Sequence, residues 1–501
     1  MGSYKEEYKS SITEAVIKVV DIKEAREDKK MLDSVTSGLQ TDYTRALNFK
    51  DYLKGEFLFN ADMGQSGRFI HYTGKVWKTD KQSGMLVNKA LAYSEMLSRL
   101  APSDEIQSKL LLATIKAFQN DSSMRGILKI LRPMIQVEQT QFDTDSKLLN
   151  LENCTIDLNT QKAREHSKND MITKLAADCV YDEKADMTLM KSVIDSCFEN
   201  NKDDIKAFET MLGGALLGEL SIMPIWYGSG DNGKSLIIKV ITATLGLSKN
   251  GGYIATPSVK LFLKSKMENA SEAATPGLYL MRNAKLAFTS EAPVGSTWDD
   301  SLIKKIATHE HDSFRQLNQE SIQDRYTCTL INDTNNLPHI KASDHGMTKR
   351  LKVYKFPHTF VEGIDMDTTL EERLKDNKPG VIKYLLYCVE QFINNDRKPF
   401  YSENVIKNSE YYKETNDTIQ DFIDEYLVLD ESSQTKKADI NKAYGKWCDY
   451  NSYQRYSAEW LREELSKKGI RCIKNSTWYY VGVKIKTKYD IISDSNKYPW
   501  E

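Results

Sequence analysis

The sequence predicts an α/β protein with a central parallel sheet, an α+β region before the sheet and a small helix–helix–hairpin module after it. Three observations predict this arrangement. Strand-like and helix-like segments alternate through residues 196–360, which is the pattern of a parallel sheet covered by helices. A glycine-rich turn joins one of these strands to a helix. A basic segment near the C-terminus has the pattern of two short helices followed by a hairpin.

The composition fits a chain of about three folded domains. The 501 residues are 40% hydrophobic and 28% charged, which is enough to build buried cores. The formal net charge of −2 argues against a nucleic-acid binder held by overall charge. No stretch approaches the ~20 apolar residues of a membrane span, so no membrane partner is expected. The seven cysteines are scattered without a CxxC pair, which indicates reduced thiols in a cytoplasmic protein.

Four segments are expected along the chain. Residues 1–195 are interpreted as an N-terminal α+β region. Apolar residues at helical spacing are followed there by a stretch rich in aromatic residues and turn glycines, which predicts short strands. Residues 196–360 form the α/β core. Residues 361–430 are polar and predict a helical connector, and residues 431–501 predict a separate small domain.

The strongest motif is a GxxxxGK[ST] sequence at a strand–helix turn of the core. Residues 222–227 before it predict a buried strand, and the residues after it predict a helix that ends at Gly246. Such a loop surrounds phosphate oxygens with backbone N–H groups, and the helix N-terminus adds partial positive charge. Lys234 would reach the β- and γ-phosphates and Ser235 would ligate Mg²⁺, as in an ATPase or GTPase. The predicted phosphate-binding residues are Gly228, Ser229, Gly230, Asp231, Asn232, Gly233, Lys234 and Ser235.

Polar residues that follow the next two strands complete the predicted site. Glu291 follows an apolar strand and is a candidate for polarising the attacking water and for holding the metal together with Ser235. A third strand, residues 326–331, runs into a polar turn. Either Asn332 or Asn335 of that turn could bond the γ-phosphate or the water, although polar residues are also the ordinary composition of a turn.

A basic pair, Lys349-Arg350, follows at the edge of the core. It could act as an arginine finger that reaches the γ-phosphate bound by a neighbouring subunit. A solvated basic face explains the same two residues equally well. The residues alone leave both interpretations open.

Together, these motifs resemble those of superfamily-3 helicases, in particular the phage and plasmid primase–helicase family that includes the poxvirus helicase-primases. In that family one short segment, here residues 228–350, contains four features. They are a phosphate loop, a strand ending in an acid, a strand ending in Asn before Pro, and a basic pair. Asn335, with Pro338 three residues on, resembles the family's sensor, which favours Asn335 over Asn332. The family usually has two arginines at the basic pair, so the resemblance implies that Arg350 is the finger.

The resemblance implies an AAA+-type ATP hydrolase that works as a DNA helicase in the replication of a phage, plasmid or other mobile element. It implies a homohexameric ring that translocates on single-stranded and forked DNA with ATP and Mg²⁺, in the cytoplasm of a bacterial host or a virus-infected cell. Origin DNA, a primase or a regulatory protein would be further partners. Upstream residues that also resemble the family are Asn150, Asn153, Asp157, Leu158, Asp170 and Gly214–Gly218.

Two departures from the family bear on the site. Ser290 stands before Glu291 where many related ATPases have a second acid, so the expected metal ligands are Ser235, Glu291 and water. The segment where the family has a DNA-contacting hairpin lacks the usual glycines. The candidate DNA contacts in that segment are Lys304, Lys305 and Arg315.

The C-terminal segment concentrates positive charge. Residues 436–488 contain thirteen basic and five acidic side chains, a net charge of +8, so the rest of the chain carries −10. Two helices followed by a hairpin, with basic flanks, predict a winged helix-turn-helix domain that binds DNA. A lysine-rich module that binds protein, or nothing, is the alternative. The candidate phosphate contacts are Lys467, Lys468, Arg471 and Lys474.

Two other functions remain open at this stage. The chain could be an origin-binding replication initiator that melts DNA with little processive unwinding. It could also be a DNA- or protein-binding scaffold with weak ATPase activity, although the intact Lys234, Ser235 and Glu291 argue against a decayed nucleotide site.

Overall fold

The computed structural model describes residues 26–486, except residues 65, 177, 265–275, 294–295, 316–320, 341–344, 415–417, 451–454 and 456. The helices predicted at the start of the chain therefore lie partly outside the described residues. Within these ranges, no helix is long and apolar enough to cross a membrane.

The first region combines a small mixed sheet with a helical stretch over residues 26–36 and four further helices. The strands are β1 (Phe57–Asn60), β2 (Arg68–Tyr72), β3 (Trp77–Thr79) and β4 (Gln136–Val137), and the helices are α1 (Asp42–Tyr52), α2 (Gly84–Leu97), α3 (Glu105–Gln119) and α4 (Asp121–Met134). The sheet order is β3-β2-β1-β4, with β1 antiparallel to β2 and parallel to β4. The rings of Phe49, Tyr93 and Phe118 pack with centroids 5.1–5.5 Å apart, so apolar helix faces hold this core together.

A three-stranded meander and a helix follow, and they belong to a different core. The elements are β5 (Leu148–Asn150), β6 (Thr155–Asp157), β7 (Lys162–Arg164) and α5 (Thr188–Cys197). The apolar residues of this stretch are buried together with those of the central sheet and its helices. The predicted 1–195 region therefore divides between two cores, because the alternating apolar positions of the meander face the central helices. The alternation predicted strands over residues 148–182, whereas regular strands end at Arg164.

The central region is a five-stranded parallel sheet. Its strands are β8 (Met223–Tyr227), β9 (Ile254–Ala255), β10 (Leu286–Thr289), β13 (Thr329–Thr334) and β14 (Leu351–Lys355), and a separate hairpin joins β11 (His311–Phe314) to β12 (Ile322–Arg325). The sheet order is β14-β8-β13-β10-β9, and all four neighbouring pairs are parallel. The strands β8 and β10 are buried almost throughout, as expected when both faces of a sheet are covered.

Helices flank this sheet and connect its strands. They are α6 (Lys202–Leu217), α7 (Lys234–Leu245), α8 (Pro276–Met281), α9 (Asp300–Ala307) and α10 (His345–Arg350). Helix α7 begins directly after the glycine-rich loop and ends before Gly246, which confirms the predicted strand–loop–helix unit. The carboxyl ends of β8, β10 and β13 meet at one edge of the sheet, and the loop lies at that edge.

Residues 361–430, predicted as a polar helical connector, are largely helical, and the longest of these helices packs into the central core. The helices here are α11 (Leu370–Asp376), α12 (Lys378–Asn394) and α13 (Glu403–Glu414). Helix α12 buries nine residues and packs on α6 within the central core. A Cβ at Gly213 would overlap the backbone of Cys388, so the two helices approach closely only because residue 213 is glycine. The buried residues of α12 are interspersed with polar residues in the sequence, so the segment was not recognised as part of the core.

The C-terminal module starts earlier than the predicted boundary at residue 431. Its elements are α14 (Thr418–Tyr426), β15 (Leu427–Lys436), α15 (Lys437–Tyr450), α16 (Ala458–Lys467), β16 (Cys472–Lys474) and β17 (Trp478–Ile485). Ile419 and Phe422 of α14 share a core with Trp447 and Tyr480. Strand β15 pairs antiparallel with β17 in a sheet of order β15-β17-β16. Strand β15 was not predicted from the sequence, because its residues are mostly polar and many of them are exposed to solvent.

Candidate active site

The loop between β8 and α7 has the backbone of a tight anion-binding turn. Gly230, Asp231 and Gly233 have φ values of 111°, 46° and 82°. A Cβ at Gly233 would lie 2.5 Å from Cys197 Sγ, so this position requires glycine for both φ and space. The N-terminus of α7 has no side-chain cap, which leaves its first N–H groups available to an anion. The loop therefore has the geometry that its motif predicts.

Asn232 holds the loop to the chain that follows β14. This side chain is buried, and its Oδ1 accepts a hydrogen bond from the Gly230 N–H at 2.7 Å. Its Nδ2 donates to the His358 carbonyl oxygen, also at 2.7 Å. The Phe360 N–H donates to the Asp231 carbonyl oxygen at 2.8 Å. The shape of the loop is thus coupled to residues more than a hundred positions later in the sequence.

The Lys234 ammonium lies at the centre of the site. Its Nζ is 3.3 Å from the Gly228 carbonyl oxygen, 3.2 Å from Asn232 Oδ1 and 3.3 Å from Asn335 Oδ1. The nearest Asp333 carboxylate oxygen is 4.0 Å away. Burial lowers the pKa of Lys234, while Asp333 and Glu291 oppose that shift. These contacts bring residues of the loop, of β13 and of the turn after β13 to one cation.

Asn335, not Asn332, reaches this site. Asn335 contacts Lys234 through Oδ1, and its Nδ2 donates to Glu291 Oε1 at 2.5 Å. Asn332 is fully buried within β13, and its Nδ2 donates to the Ser290 carbonyl oxygen at 3.1 Å. The strand predicted over 326–331 in fact runs from Thr329 to Thr334, so Asn332 joins two strands and does not stand in a turn.

Asp333 is the site residue that sequence reasoning missed. Its side chain is 20% exposed and lines the same cavity as Lys234, Ser235 and Glu291. Burial raises the pKa of the Asp333 carboxyl and Glu291 adds to the rise, whereas Lys234 and Ser235 oppose it. The sequence signal that could have led to Asp333 is the absence of a second acid before Glu291, because it implies that another carboxylate is needed.

These groups line a cavity of about 570 Å³. The loop residues line it together with Glu291, Asp333 and Asn335. Residues of α5 and of the chain around α11 line it as well. The apolar lining residues are Leu189, Val193, Leu236, Phe360, Met366 and Leu370. The lining therefore combines charged and polar groups with apolar side chains.

The predicted basic pair lies away from this cavity. Lys349 and Arg350 are the last residues of α10 and are not among those that line the cavity. Arg350 Nη1 donates to the Gly346 carbonyl oxygen at 2.6 Å. Within one chain, Arg350 is therefore not part of the site.

The predicted DNA contacts of the central region surround the β11–β12 hairpin. Lys304 and Lys305 are in α9, and Lys305 Nζ is 3.4 Å from Asp312 Oδ1 on β11. Arg315 follows β11 and is exposed. The two strands pair antiparallel from His311↔Arg325 to Phe314↔Ile322, and residues 316–320 lie outside the described chain. The structure therefore contains a hairpin in the segment where the family resemblance implied one.

The predicted contacts of the C-terminal module lie on its surface. Arg471 and Lys474 are exposed. The Lys474 ammonium and the Arg462 guanidinium both lie 5.9 Å from the centre of the Trp478 ring, which is 38% exposed. Lys467 pairs with Glu464 at 2.8 Å, and Lys468 is the C-cap of α16. Trp478 was not singled out from the sequence, because only basic side chains were considered as contacts.

Comparisons with known proteins bear on the identity of the chain. Residues 46–199 match the family model described as "D5 N terminal like". The chain is 24% identical over 454 residues to "Putative helicase V13" of Sputnik virophage, a match that covers 82% of this chain and 55% of that protein. It is 23% identical over 301 residues to "Putative primase C962R" of African swine fever virus, covering 56% of this chain and 30% of that protein. A solved structure of the NrS-1 C-terminal region aligns over 89% of this chain and 100% of its own, with 10% identity and a TM-score of 0.45.

The fold and the loop define the class as a mixed α/β protein with a parallel sheet and a glycine-rich strand–helix loop. The family match and the viral relatives confirm the resemblance drawn from the motifs: the chain is related to the primase–helicase family of viruses and mobile elements. Asn150, Asn153, Asp157 and Asp170 lie inside the matched residues 46–199. The chain spans about half the length of the virophage relative and under a third of the swine fever virus relative.

Proposed function

We propose that this chain is an ATP-dependent DNA helicase that acts in the replication of a virus, phage, plasmid or other mobile element. One observation carries the proposal: Lys234 contacts Asn335, and Asn335 contacts Glu291. These three residues come from separate segments that were each predicted to serve nucleotide hydrolysis. Their convergence beside a phosphate-type loop supports one hydrolytic site.

The order of the strands supports an AAA+-type core. The strand before the loop, β8, lies between β14 and β13, and β10 lies beyond β13. This order places the ends of β10 and β13 on the same side of the loop, next to Lys234. The amide and the acid needed for hydrolysis therefore follow β13, which neighbours β8, and β10, which lies one strand beyond it.

The roles follow from chemistry and position. Lys234 would bind the β- and γ-phosphates, Glu291 would polarise the attacking water, and Asn335 would orient that water or the γ-phosphate. The Ser235 hydroxyl and the Glu291 carboxylate are hard oxygen donors, which fit Mg²⁺. When bound, Mg²⁺ would neutralise charge on the phosphates.

The position of Arg350 supports a ring. It lies outside the cavity of its own chain, yet a γ-phosphate in transfer needs a cation that an arginine finger supplies. Arg350 of one subunit would serve the site of the next. A homohexamer with ATP between subunits is the assembly that we propose.

The DNA contacts would be local. The hairpin β11–β12 with Lys304, Lys305 and Arg315 would grip single-stranded DNA, and the C-terminal module would act as a winged helix that contacts DNA through Arg471 and Lys474. Lysine and arginine contacts to phosphates suit translocation, because they do not depend on the base sequence.

The test is Lys234→Ala in the full chain. We expect ATP hydrolysis and displacement of a strand from forked DNA to be lost, because the phosphates lose their central cation, while DNA binding persists. Lys249→Ala is the matched control, since Lys249 is an exposed lysine of the same region. Hydrolysis at the unchanged rate in Lys234→Ala would contradict the proposed function.

A second candidate, an initiator that binds and melts an origin, is favoured by the exposed basic surface around Trp478. Footprinting on the element's own DNA with Arg471→Glu/Lys474→Glu separates the two functions. An initiator would lose a specific footprint but show little unwinding even before the change. A helicase would unwind forked DNA of any sequence.

A further inference from the structure

We propose that Asp333 supplies the second carboxylate of the Mg²⁺ site, acting with Ser235 and Glu291. This inference rests on the proposed ATP hydrolysis and deepens it. It names a residue at the end of β13, whereas the acids of the sequence analysis were sought only at the end of β10.

The first argument is position. Thr289 of β10 pairs with Asn332 of β13 in the parallel register. The next residues along the two strands are Ser290 and Asp333, so these two positions are neighbours across the sheet. A carboxylate at 333 therefore lies one strand spacing, about 4.8 Å, from the position of an acid at 290.

The second argument is the closeness of the Ser235 hydroxyl to the Asp333 carboxylate in the lining of one cavity. Ser235 is the hydroxyl residue of the loop, which is the residue that would ligate Mg²⁺. A carboxylate beside a metal ligand can orient that ligand, and from this position it would enter the coordination sphere directly or through water.

The third argument is charge. Asp333 and Glu291 line the same cavity, so two carboxylates face one space. Lys234 stands 4.0 Å from Asp333, farther than its 3.2–3.3 Å contacts to uncharged oxygens. The lysine therefore does not pair closely with Asp333, and the phosphates of a nucleotide would draw its charge further away. A divalent cation balances the two carboxylates, and oxygen donors of this kind are what Mg²⁺ prefers.

The experiment measures metal binding directly. Mn²⁺ stands in for Mg²⁺, and its electron paramagnetic resonance signal reports bound metal with a non-hydrolysable ATP analogue on the full chain. We expect Asp333→Asn to weaken Mn²⁺ binding in this ternary complex by about 10-fold or more, the usual effect of losing such a partner. Binding of the analogue in EDTA should stay the same or tighten, because a negative charge near the phosphates is gone.

Two further variants keep the outcome informative. Asp365→Asn removes the same charge from the same cavity, where Asp365 pairs with His358, and should leave Mn²⁺ affinity within about 2-fold. Ser290→Asp added to Asp333→Asn should restore much of the affinity, because the carboxylate returns one strand away. If Asp333→Asn alone does not fold, Asp333→Ser with and without Ser290→Asp gives the same comparison.

Unchanged Mn²⁺ affinity in Asp333→Asn, with the analogue still bound, would overturn the inference and leave the proposed function intact. An equal loss of Mn²⁺ affinity in Asp365→Asn would also overturn the inference, because the effect would then come from the total charge of the cavity and not from a ligand at position 333. Failure of the unchanged chain to bind the analogue with Mn²⁺ would overturn the proposed function and this inference together.

Discussion

The carboxyl edge of the central sheet and the surface of the C-terminal module use charged side chains in opposite ways. At the sheet edge, Lys234 is 5% exposed and donates hydrogen bonds to Asn335 Oδ1 and Asn232 Oδ1. On the module, Arg471 and Lys474 stand in solvent, and Lys474 lies over the ring of Trp478. Buried charges act as one unit, because a change to any member leaves its partners unsatisfied.

Exposed charges act almost independently, because water and salt screen them. The two regions should therefore respond differently to substitution. Changes at the sheet edge should be large and non-additive, and changes on the module should be small, additive and dependent on salt.

The largest effect is expected for Arg350→Ala, which tests whether the buried site is complete within one chain. If the finger acts between subunits, hydrolysis should fall by about 10³-fold or more. Mixing this variant with Lys234→Ala should restore part of the activity, because some interfaces then combine an intact loop with an intact Arg350. The measurement is steady-state ATP hydrolysis against the mixing ratio.

Lys349→Ala is the control for this prediction and should stay within about 3-fold of the unchanged chain, since screened surface charges contribute little. Full hydrolysis by Arg350→Ala alone would show that the site needs no second subunit.

The next effect separates the two asparagines. Asn335→Ala should lower the hydrolysis rate by about 10²-fold, the usual loss when one oriented donor is removed, and should leave thermal stability unchanged. Asn332→Ala should instead cost about 1–3 kcal/mol of unfolding free energy, because buried partners on β10 lose their bond. Rates per folded molecule and chemical denaturation measure the two effects, and the reverse pattern would refute the assignment of Asn335.

Glu209 extends the comparison to a buried acid outside the site. It is 4% exposed on α6, and burial raises its pKa to about 7, with Asp195 adding to the rise and Lys191 and Tyr384 opposing it. The unfolded chain ionises this group at lower pH than the folded chain does, so the carboxyl destabilises the fold as the pH rises from about 4.5 toward 7.

Glu209→Gln should therefore raise the free energy of unfolding by about 3 kcal/mol at pH 8 and by almost nothing near pH 4.5. Urea unfolding at both pH values measures this difference. Glu463→Gln, at an exposed position of α16, should show no such dependence. Equal gains at the two pH values would mean that the effect of Glu209 is one of packing.

The smallest effect is expected on the module. Arg471→Glu/Lys474→Glu should weaken binding of single-stranded DNA by a few fold and reduce the salt dependence by about 0.7 for each lost phosphate contact. Lys162→Glu, at an exposed position of β7, is the matched control for the change in charge. Fluorescence anisotropy across a salt series measures both quantities, and an unchanged salt slope would exclude these residues as phosphate contacts.

Much of the site was readable from the sequence, because its motif residues are local. The loop from Gly228 to Ser235 needs glycines and a lysine at fixed spacing, and a strand and a helix must flank it. The hairpin β16–β17 and the helices α15 and α16 were predicted for the same reason, since their apolar positions follow the period of each element. Such features depend on neighbours along the chain.

Other features depended on contacts that no local pattern records. The sequence of β15 is that of a polar linker, and only its pairing with β17 makes it a strand. The sequence of α12 was interpreted as part of a connector, and only its packing against α6 places it in the core. The end of β13 lies three residues beyond the apolar run, because β8 and β10 continue to pair with it. That extension buries Asn332 and turns Asp333 toward Ser235.

The sequence by itself determined the glycine-rich strand–helix loop, the candidate acid Glu291, the resemblance to viral primase–helicases and the basic charge of the C-terminal segment. Tertiary structure decided which asparagine reaches Lys234, that Asp333 joins the site, and that Arg350 does not. The physical reason is that residue type and spacing set local backbone geometry. Which side chains contact a buried charge depends instead on which strands become neighbours. In this protein the order β14-β8-β13-β10-β9 makes that choice.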